Sequence, residues 1–219
     1  MPSRKMPDQN NHSPSARHYY VIFFVIMLQN LSVAQSEKTE RYPNGVLKAQ
    51  GVLSDGLKSG MWTYYYASGE KSAVEHYTNN KLDGVIIYFY PNQKIQGEER
   101  WMMGNLEDSA RYFHQNGILE KKGIYKHSQY EGKWLHYFEN GKLERVVNYQ
   151  EGMPEGKTEV YDENGDLLQE GNYHQGKEHG EWKFYSQKEL DYTGEYNLGN
   201  PVGTWYKFSK GKKKIYKKY

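Results

Sequence analysis

Turn-forming triplets recur in this chain every 24 residues: "PNG" ends at Gly45, "ASG" at Gly69, "PNQ" at Gln93, "QNG" at Gly117, "ENG" at Gly141 and at Gly165, and "QKE" at Glu189. A fixed period of this length means stacked units that bury themselves against their neighbours, not one core closed by distant segments. A second series, Gly60, Gly84, Gly132, Gly156, Gly180 and Gly203, keeps nearly the same spacing, with Ser109 filling the vacant place. Asn-Gly between aromatic and apolar runs predicts a tight hairpin with both central residues at positive φ. Each unit therefore reads as a strand of about seven residues entering the Asn-Gly tip and a second strand returning to a looser turn. Examples of that turn are "NNKLDG" (79–84) and "EGMPEG" (151–156). Helical periodicity is absent from the repeated region, so no long helix is expected there.

The fold class that follows is all-β: a repetitive antiparallel β-hairpin meander forming an elongated, twisted single-layer sheet. Eight tips, counting a weak one at Gly211, imply a sheet of roughly fifteen strands and, at about 4.8 Å each, roughly 70 Å in length. A sheet of that extent is expected to twist and coil into a ribbon with a concave face. Aliphatic residues are scarce and mean hydropathy is -1.00, while 22 Tyr, 22 Gly and 5 Trp carry the structural signal. An ordered chain packed by aromatic rings fits this balance.

Superposing the units resolves two aromatic columns. Tyr65, Phe89, Phe113, Tyr137, Tyr161 and Tyr185 stand four residues before successive tips; Leu53, Tyr77, Trp101, Tyr125, Tyr149 and Tyr173 stand eight residues after them. Side chains recurring at one phase of every unit are parts of the repeat, and cross-strand aromatic pairs contribute about 0.2 to 1 kcal/mol each. In "GMWTYYYASGE" (60–70), Trp62, Tyr64 and Tyr66 share the other face, and their equivalents change from unit to unit. That variable face, comprising Trp62, Tyr64, Tyr66, Tyr88, Tyr90, Tyr112, His114, Trp134, His136 and Phe138, is the candidate binding surface.

The ends differ from the body. Arg4, Lys5 and Arg17 precede the apolar run Val21 to Leu28, and the small residues Ser32 and Ala34 follow. Residues 1–34 therefore read as a signal peptide, with export to the cell envelope or beyond; the alternative is an uncleaved leader tethering the chain to a membrane. Residues 35–211 form about seven hairpin units, and 212–219 a lysine-rich tail or last edge strand. Without the leader the chain holds 26 charges of each sign, but residues 35–206 hold 19 basic and 26 acidic groups. An acidic body argues against nucleic acid as a partner. Lys212, Lys213, Lys214, Lys217 and Lys218 either guard the final sheet edge or contact an anionic surface.

Signals for chemistry are sparse. "SGEK" (68–71) has a serine–lysine spacing, but across a hairpin tip with no helix to bring the two together. "DENGD" (162–166) has calcium-loop spacing, yet Tyr173 stands where the closing glutamate would be, so a turn is expected. Six histidines outside the leader form no HExxH pair, although His114 and His136 lie in neighbouring units on the variable face. Cysteine is absent from the sequence, which excludes disulfides and thiolate chemistry. No cofactor is expected, and no enzymatic activity.

"GKWLHYFENGKLERVVNYQEGMPEG" (132–156) and "GEWKFYSQKELDYTGEYNLGNPVG" (180–203) resemble the MORN repeat in its bacterial variant form. The resemblance extends over about residues 41–211, with departures at Gln93, at Ser109 and at "QKE". It implies a long antiparallel sheet used as an interaction scaffold with a protein partner, and an antitoxin-like branch implies neutralisation of that partner. No catalytic residue belongs to the repeat. A competing expectation, drawn from aromatic density alone, is glycan or choline-type binding through Trp62 and Trp134.

Overall fold

The computed structural model describes residues 34–219; the leader, apart from Ala34, lies outside them. Among the described residues there is no helix. The strands are β1 (Gln35–Arg41), β2 (Leu47–Ser54), β3 (Leu57–Tyr65), β4 (Lys71–Thr78), β5 (Lys81–Leu82) and β6 (Gly84–Phe89). Then follow β7 (Ile95–Met102), β8 (Asn105–Phe113), β9 (Leu119–Lys126), β10 (Gln129–Tyr137), β11 (Leu143–Gln150) and β12 (Met153–Tyr161). The last are β13 (Leu167–His174), β14 (Lys177–Ser186), β15 (Glu189–Asn197), β16 (Asn200–Ser209) and β17 (Lys212–Lys218). Pairing is antiparallel and follows chain order from β1 to β17, with β5 and β6 both bonded to β4 as one strand interrupted at Asp83. The result is one open hairpin meander with β1 and β17 at its two edges, and the tail 212–218 is a true edge strand.

The two kinds of turn exchange roles relative to the sequence reading. At the Asn-Gly tips only the glycine has positive φ: the Gly45 N–H donates to the Tyr42 carbonyl, and the Tyr42 N–H to Val46. This is a type I turn closed by a glycine bulge, which needs one left-handed residue and not two. The turns expected to be looser are the tight ones. Each has two left-handed residues in succession, as at Asn79-Asn80, Glu151-Gly152 and Gln175-Gly176, the signature of a two-residue type I′ hairpin. "QKE" has switched class: Gln187 and Lys188 both have positive φ, so this tip is type I′ and the remaining phases arrive one residue early.

The second glycine series does not make turns either. Gly60, Gly132, Gly156 and Gly180 sit inside strands at positive φ, where the register with the preceding strand slips. In the third unit the bulge residue is Asp108, with φ 65°, not Ser109. Aspartate tolerates the left-handed region better than most residues, which is why the unit survives without the glycine.

Side chains bind one unit to the next. The Tyr42, Tyr66 and Tyr90 hydroxyls donate to the carbonyls of Tyr65, Phe89 and Phe113 at 2.8, 2.6 and 2.8 Å, and His114 Nε2 meets the Tyr137 carbonyl at 2.8 Å. Tip asparagines act twice. Asn116 accepts from the Ile118 N–H and donates to the Glu139 carbonyl; Asn92 and Asn140 repeat the pattern. Tyr90→Phe is expected to lower stability by about 1 kcal/mol through loss of one such bond, measured as a shift in the urea midpoint.

The core lies on one face, in a column that the sequence reading treated as variable surface. Trp62, Ile86, Ala110, Trp134, Thr158, Trp182 and Trp205 occupy the same phase and are all buried. Each tryptophan lies across a glycine of the preceding strand. A Cβ at Gly51, Gly123, Gly171 or Gly194 would overlap the ring of Trp62, Trp134, Trp182 or Trp205. Three of these indoles also donate to backbone carbonyls: Trp62 to Val52, Trp134 to Ile124 and Trp182 to Asn172, at 3.0 to 3.1 Å. Where the core residue is smaller, its neighbour is larger: Ala110 faces Glu99, and Thr158 faces Val147. The column varies because size is shared between strands, not because the face is exposed.

Candidate interaction face

The sequence-derived binding residues divide into three groups. Trp62 and Trp134 are fully buried, so they offer no surface to a ligand and the glycan reading loses its two anchors. Their burial follows from the glycines beneath them, a pairing between strands that no single strand reveals. Tyr66, Tyr90 and His114 are the brackets between units described above, and Phe138 takes the same phase without a polar atom. Tyr64, Tyr88, Tyr112 and His136 remain, half-buried, in one cross-strand row over β3, β6, β8 and β10.

The second aromatic column, Tyr77, Trp101, Tyr125, Tyr149 and Tyr173, lies on this same face beside the tryptophans. Tyr77, Tyr125 and Tyr173 meet Trp62, Trp134 and Trp182 edge-on at centroid distances of 6.3, 5.0 and 5.4 Å. Edge-to-face contact suits the ring quadrupoles and gives the thin sheet its packing.

Acids enter this face bonded to phenols. Glu75 accepts from the Tyr77 hydroxyl at 2.5 Å; Glu99 accepts from Tyr112 at 2.6 Å and from the Trp101 indole at 2.9 Å. Burial, reinforced by these carboxylates, raises the pKa of Tyr77, Tyr88 and Tyr112 far above the ordinary phenol range. They are neutral donors at any physiological pH.

One aromatic cage is already occupied. The Lys58 ammonium lies 4.5 Å from the Trp62 ring centroid and 5.1 Å from those of Tyr64 and Tyr77, and it donates to the Tyr64 hydroxyl at 2.7 Å. A lysine of the chain itself thus fills the position that a quaternary ammonium would take.

His136 sits directly between Lys121 of β9 and Arg145 of β11. Burial, then the charges of Arg145 and Lys121, lower its pKa from 6.5 to about 4. The folded value lies below the unfolded one, so the contribution of the neutral imidazole is present above about pH 6.5 and is lost as pH falls toward 4. His136→Gln should therefore show a smaller drop in urea midpoint between pH 7 and pH 4 than the parent chain. Equal drops would refute the assignment.

The opposite face carries the column of Tyr65, Tyr161 and Tyr185, exposed Met61 and Val85, and charges that pair with one another. Arg111 meets Glu98 at 2.6 Å, and Lys157 reaches Glu159 and Glu170 at 2.7 and 3.5 Å. Asp162 is used by its own turn, accepting the Asn164 and Asp166 N–H groups at 2.9 Å each, as expected of a turn and not of a calcium loop. At the β17 edge, Lys213 and Lys217 fold over the rings of Tyr206 and Tyr219 at 3.8 and 4.2 Å.

An open array of stacked hairpins with one aromatic face defines a β-repeat scaffold. Two adjacent units of this array, residues 130–151 and 154–175, match the family profile described as MORN repeat variant. No curated protein matches the chain. Among solved structures, a TcdB2–TccC3 crystal structure is 13% identical over 80% of this chain, with a TM-score of 0.18. A TcdB2–TccC3–Cdc42 structure is 12% identical over 80%, with a TM-score of 0.19. The chain spans 13% of the length of either, and at these scores neither likeness bears on fold or function.

Proposed function

We propose that this protein is an exported, non-catalytic scaffold that binds a protein partner through its aromatic face. The observation that carries the reading is the cross-strand row of half-buried tyrosines, Tyr64, Tyr88 and Tyr112, laid along an open sheet and not sunk in a cleft. Tyrosine gives large contact area with few rotors to freeze, which is why it is enriched at protein interfaces. MORN repeats are generally non-catalytic and serve as scaffolds for protein or membrane interaction, which agrees with this surface. The leader supports a location in the envelope or outside the cell, where an antitoxin-like role would require an exported target. The lysines of β17 form a second, weaker contact with anionic surfaces.

Affinity capture from the envelope fraction tests the reading. The parent chain should retain a specific protein, a Tyr64→Ser/Tyr88→Ser variant with unchanged circular dichroism should lose it, and Lys157→Ala on the opposite face should keep it. Capture unaffected by the tyrosine changes would move the site to the other face; no partner from any fraction would remove the reading.

A further inference from the structure

At one phase of the repeat the residue type changes after the third unit. On the aromatic face, the first three units set a small residue opposite a tyrosine: Ala49 with Tyr64, Ala73 with Tyr88, Gly97 with Tyr112. At the next two occurrences of those phases stand Lys121 opposite His136, and Arg145 opposite the other side of His136. Directly opposed residues have Cβ atoms about 5 Å apart, so three basic side chains form a line over β9, β10 and β11.

Neither Lys121 nor Arg145 makes an ion pair among the described residues, and His136 Nε2 is buried without a hydrogen-bond partner. The contrast with Lys58 is instructive: its contact with Tyr64 continues through Tyr77 to the Glu75 carboxylate. At the phase of Glu75 and Glu99, the next unit has Gly123, and Trp134 fills the space where a carboxylate would stand. Lys121 is instead held by aromatic groups, 4.6 Å from the Tyr112 ring centroid and 3.3 Å from the Tyr130 hydroxyl.

We propose that Lys121, His136 and Arg145 form an oxyanion site that accepts the carboxylate of an acidic side chain on the protein partner. This deepens the reading above and rests on it. A carboxylate over His136 would take the ammonium from one side and the guanidinium from the other. Charge-assisted bonds of this kind are the strong ones, and a guanidinium matches both carboxylate oxygens. The charged groups set directly opposite His136 are Lys121 and Arg145, and the Trp134 ring lies beside it at a centroid distance of 6.5 Å. Glu75 and Glu99, on β4 and β7, are bonded to phenols, and Glu120 and Glu144, the bulge residues next to Lys121 and Arg145, make no ion pair with either. An arriving anion stabilises the imidazolium, so binding takes up a proton.

Acetylated tetraglutamate, titrated into the chain with the His136 imidazole followed by NMR, tests the site. Saturating peptide should raise the half-protonation point of His136 by about one pH unit or more. Acetylated tetraserine and sodium chloride at matched ionic strength should leave it unchanged. Lys121→Met and Arg145→Met should each abolish the response, with circular dichroism confirming the sheet. A His136 silent to tetraglutamate, a response that survives both substitutions, or one that inorganic phosphate evokes and tetraglutamate does not would overturn the carboxylate assignment. If His136 is silent while the tyrosine-dependent partner of the capture experiment still binds, the scaffold stands and this site falls. If that partner is absent too, both fail.

Discussion

Trp134→Ala should cost about 4 kcal/mol and Gly123→Ala about 2 kcal/mol, while the double variant should cost clearly less than their sum. The first removes a fully buried ring. The second adds a methyl group that overlaps that ring, because the indole lies flat on the Gly123 backbone. With alanine at 134 the added methyl has room, so the two losses share one cause and do not add. Urea unfolding measures the totals, and strict additivity would show that ring and glycine do not form a unit. Because repeat arrays are stabilised by neighbours, amide exchange should accelerate first in β9, β10 and β11 and leave β2 and β3 protected longer. Uniform acceleration along the whole sheet would show instead that the array unfolds as one body.

Ending the chain after Ser209 should produce multimers that elute ahead of the full chain in size-exclusion chromatography. The deletion removes β17 and exposes the unpaired backbone of β16, together with Trp205, which is only 7% exposed in the intact sheet. An open apolar edge templates pairing with another chain, and lysine is a common guard against it. β17 has five lysines in seven residues. Replacing Lys212, Lys214 and Lys218 with serine while keeping the strand separates charge from covering: multimers here too would assign the guard to charge. Binding to vesicles containing anionic lipid, compared with neutral vesicles at low and high salt, tests the second role of these lysines. Binding that persists after the truncation would restrict them to edge protection, and a truncated chain that neither multimerises nor loses vesicle binding would leave them neither role.

The architecture was legible in the sequence because repetition is a local property. A 24-residue period, turn residues at fixed phase and aromatic columns specify hairpins stacked in chain order, and no distant contact is needed to order the strands. The two kinds of turn were harder to tell apart. Asn-Gly suits a type I′ turn on its own, but Asn44 and its equivalents spend their side chains on the next units and on the following N–H, which favours a type I turn with one glycine bulge. Asp108 for Ser109 was a shift of one residue, visible only once the backbone showed which position is left-handed.

Alternation along a strand correctly grouped Trp62 with Tyr64, Tyr88 and His136, yet it could not say which face is inside. In a one-layer sheet both faces begin equivalent, and the choice is made across strands: a glycine at 51, 123, 171 or 194 admits the flat indole of the neighbouring strand, and that pairing buries the column. Residues of one strand do not record their partner's size. The basic line Lys121, His136, Arg145 is dispersed over 25 residues and carries no motif. Its three phases could have been compared from sequence, but only the register, which sets His136 directly between the other two, turns three separate basic residues into one positively charged place. The sequence thus determined the unit, its stacking and its edges, while the tertiary structure decided which face is buried and where basic charge gathers, because both depend on pairs of residues brought opposite one another by strand register.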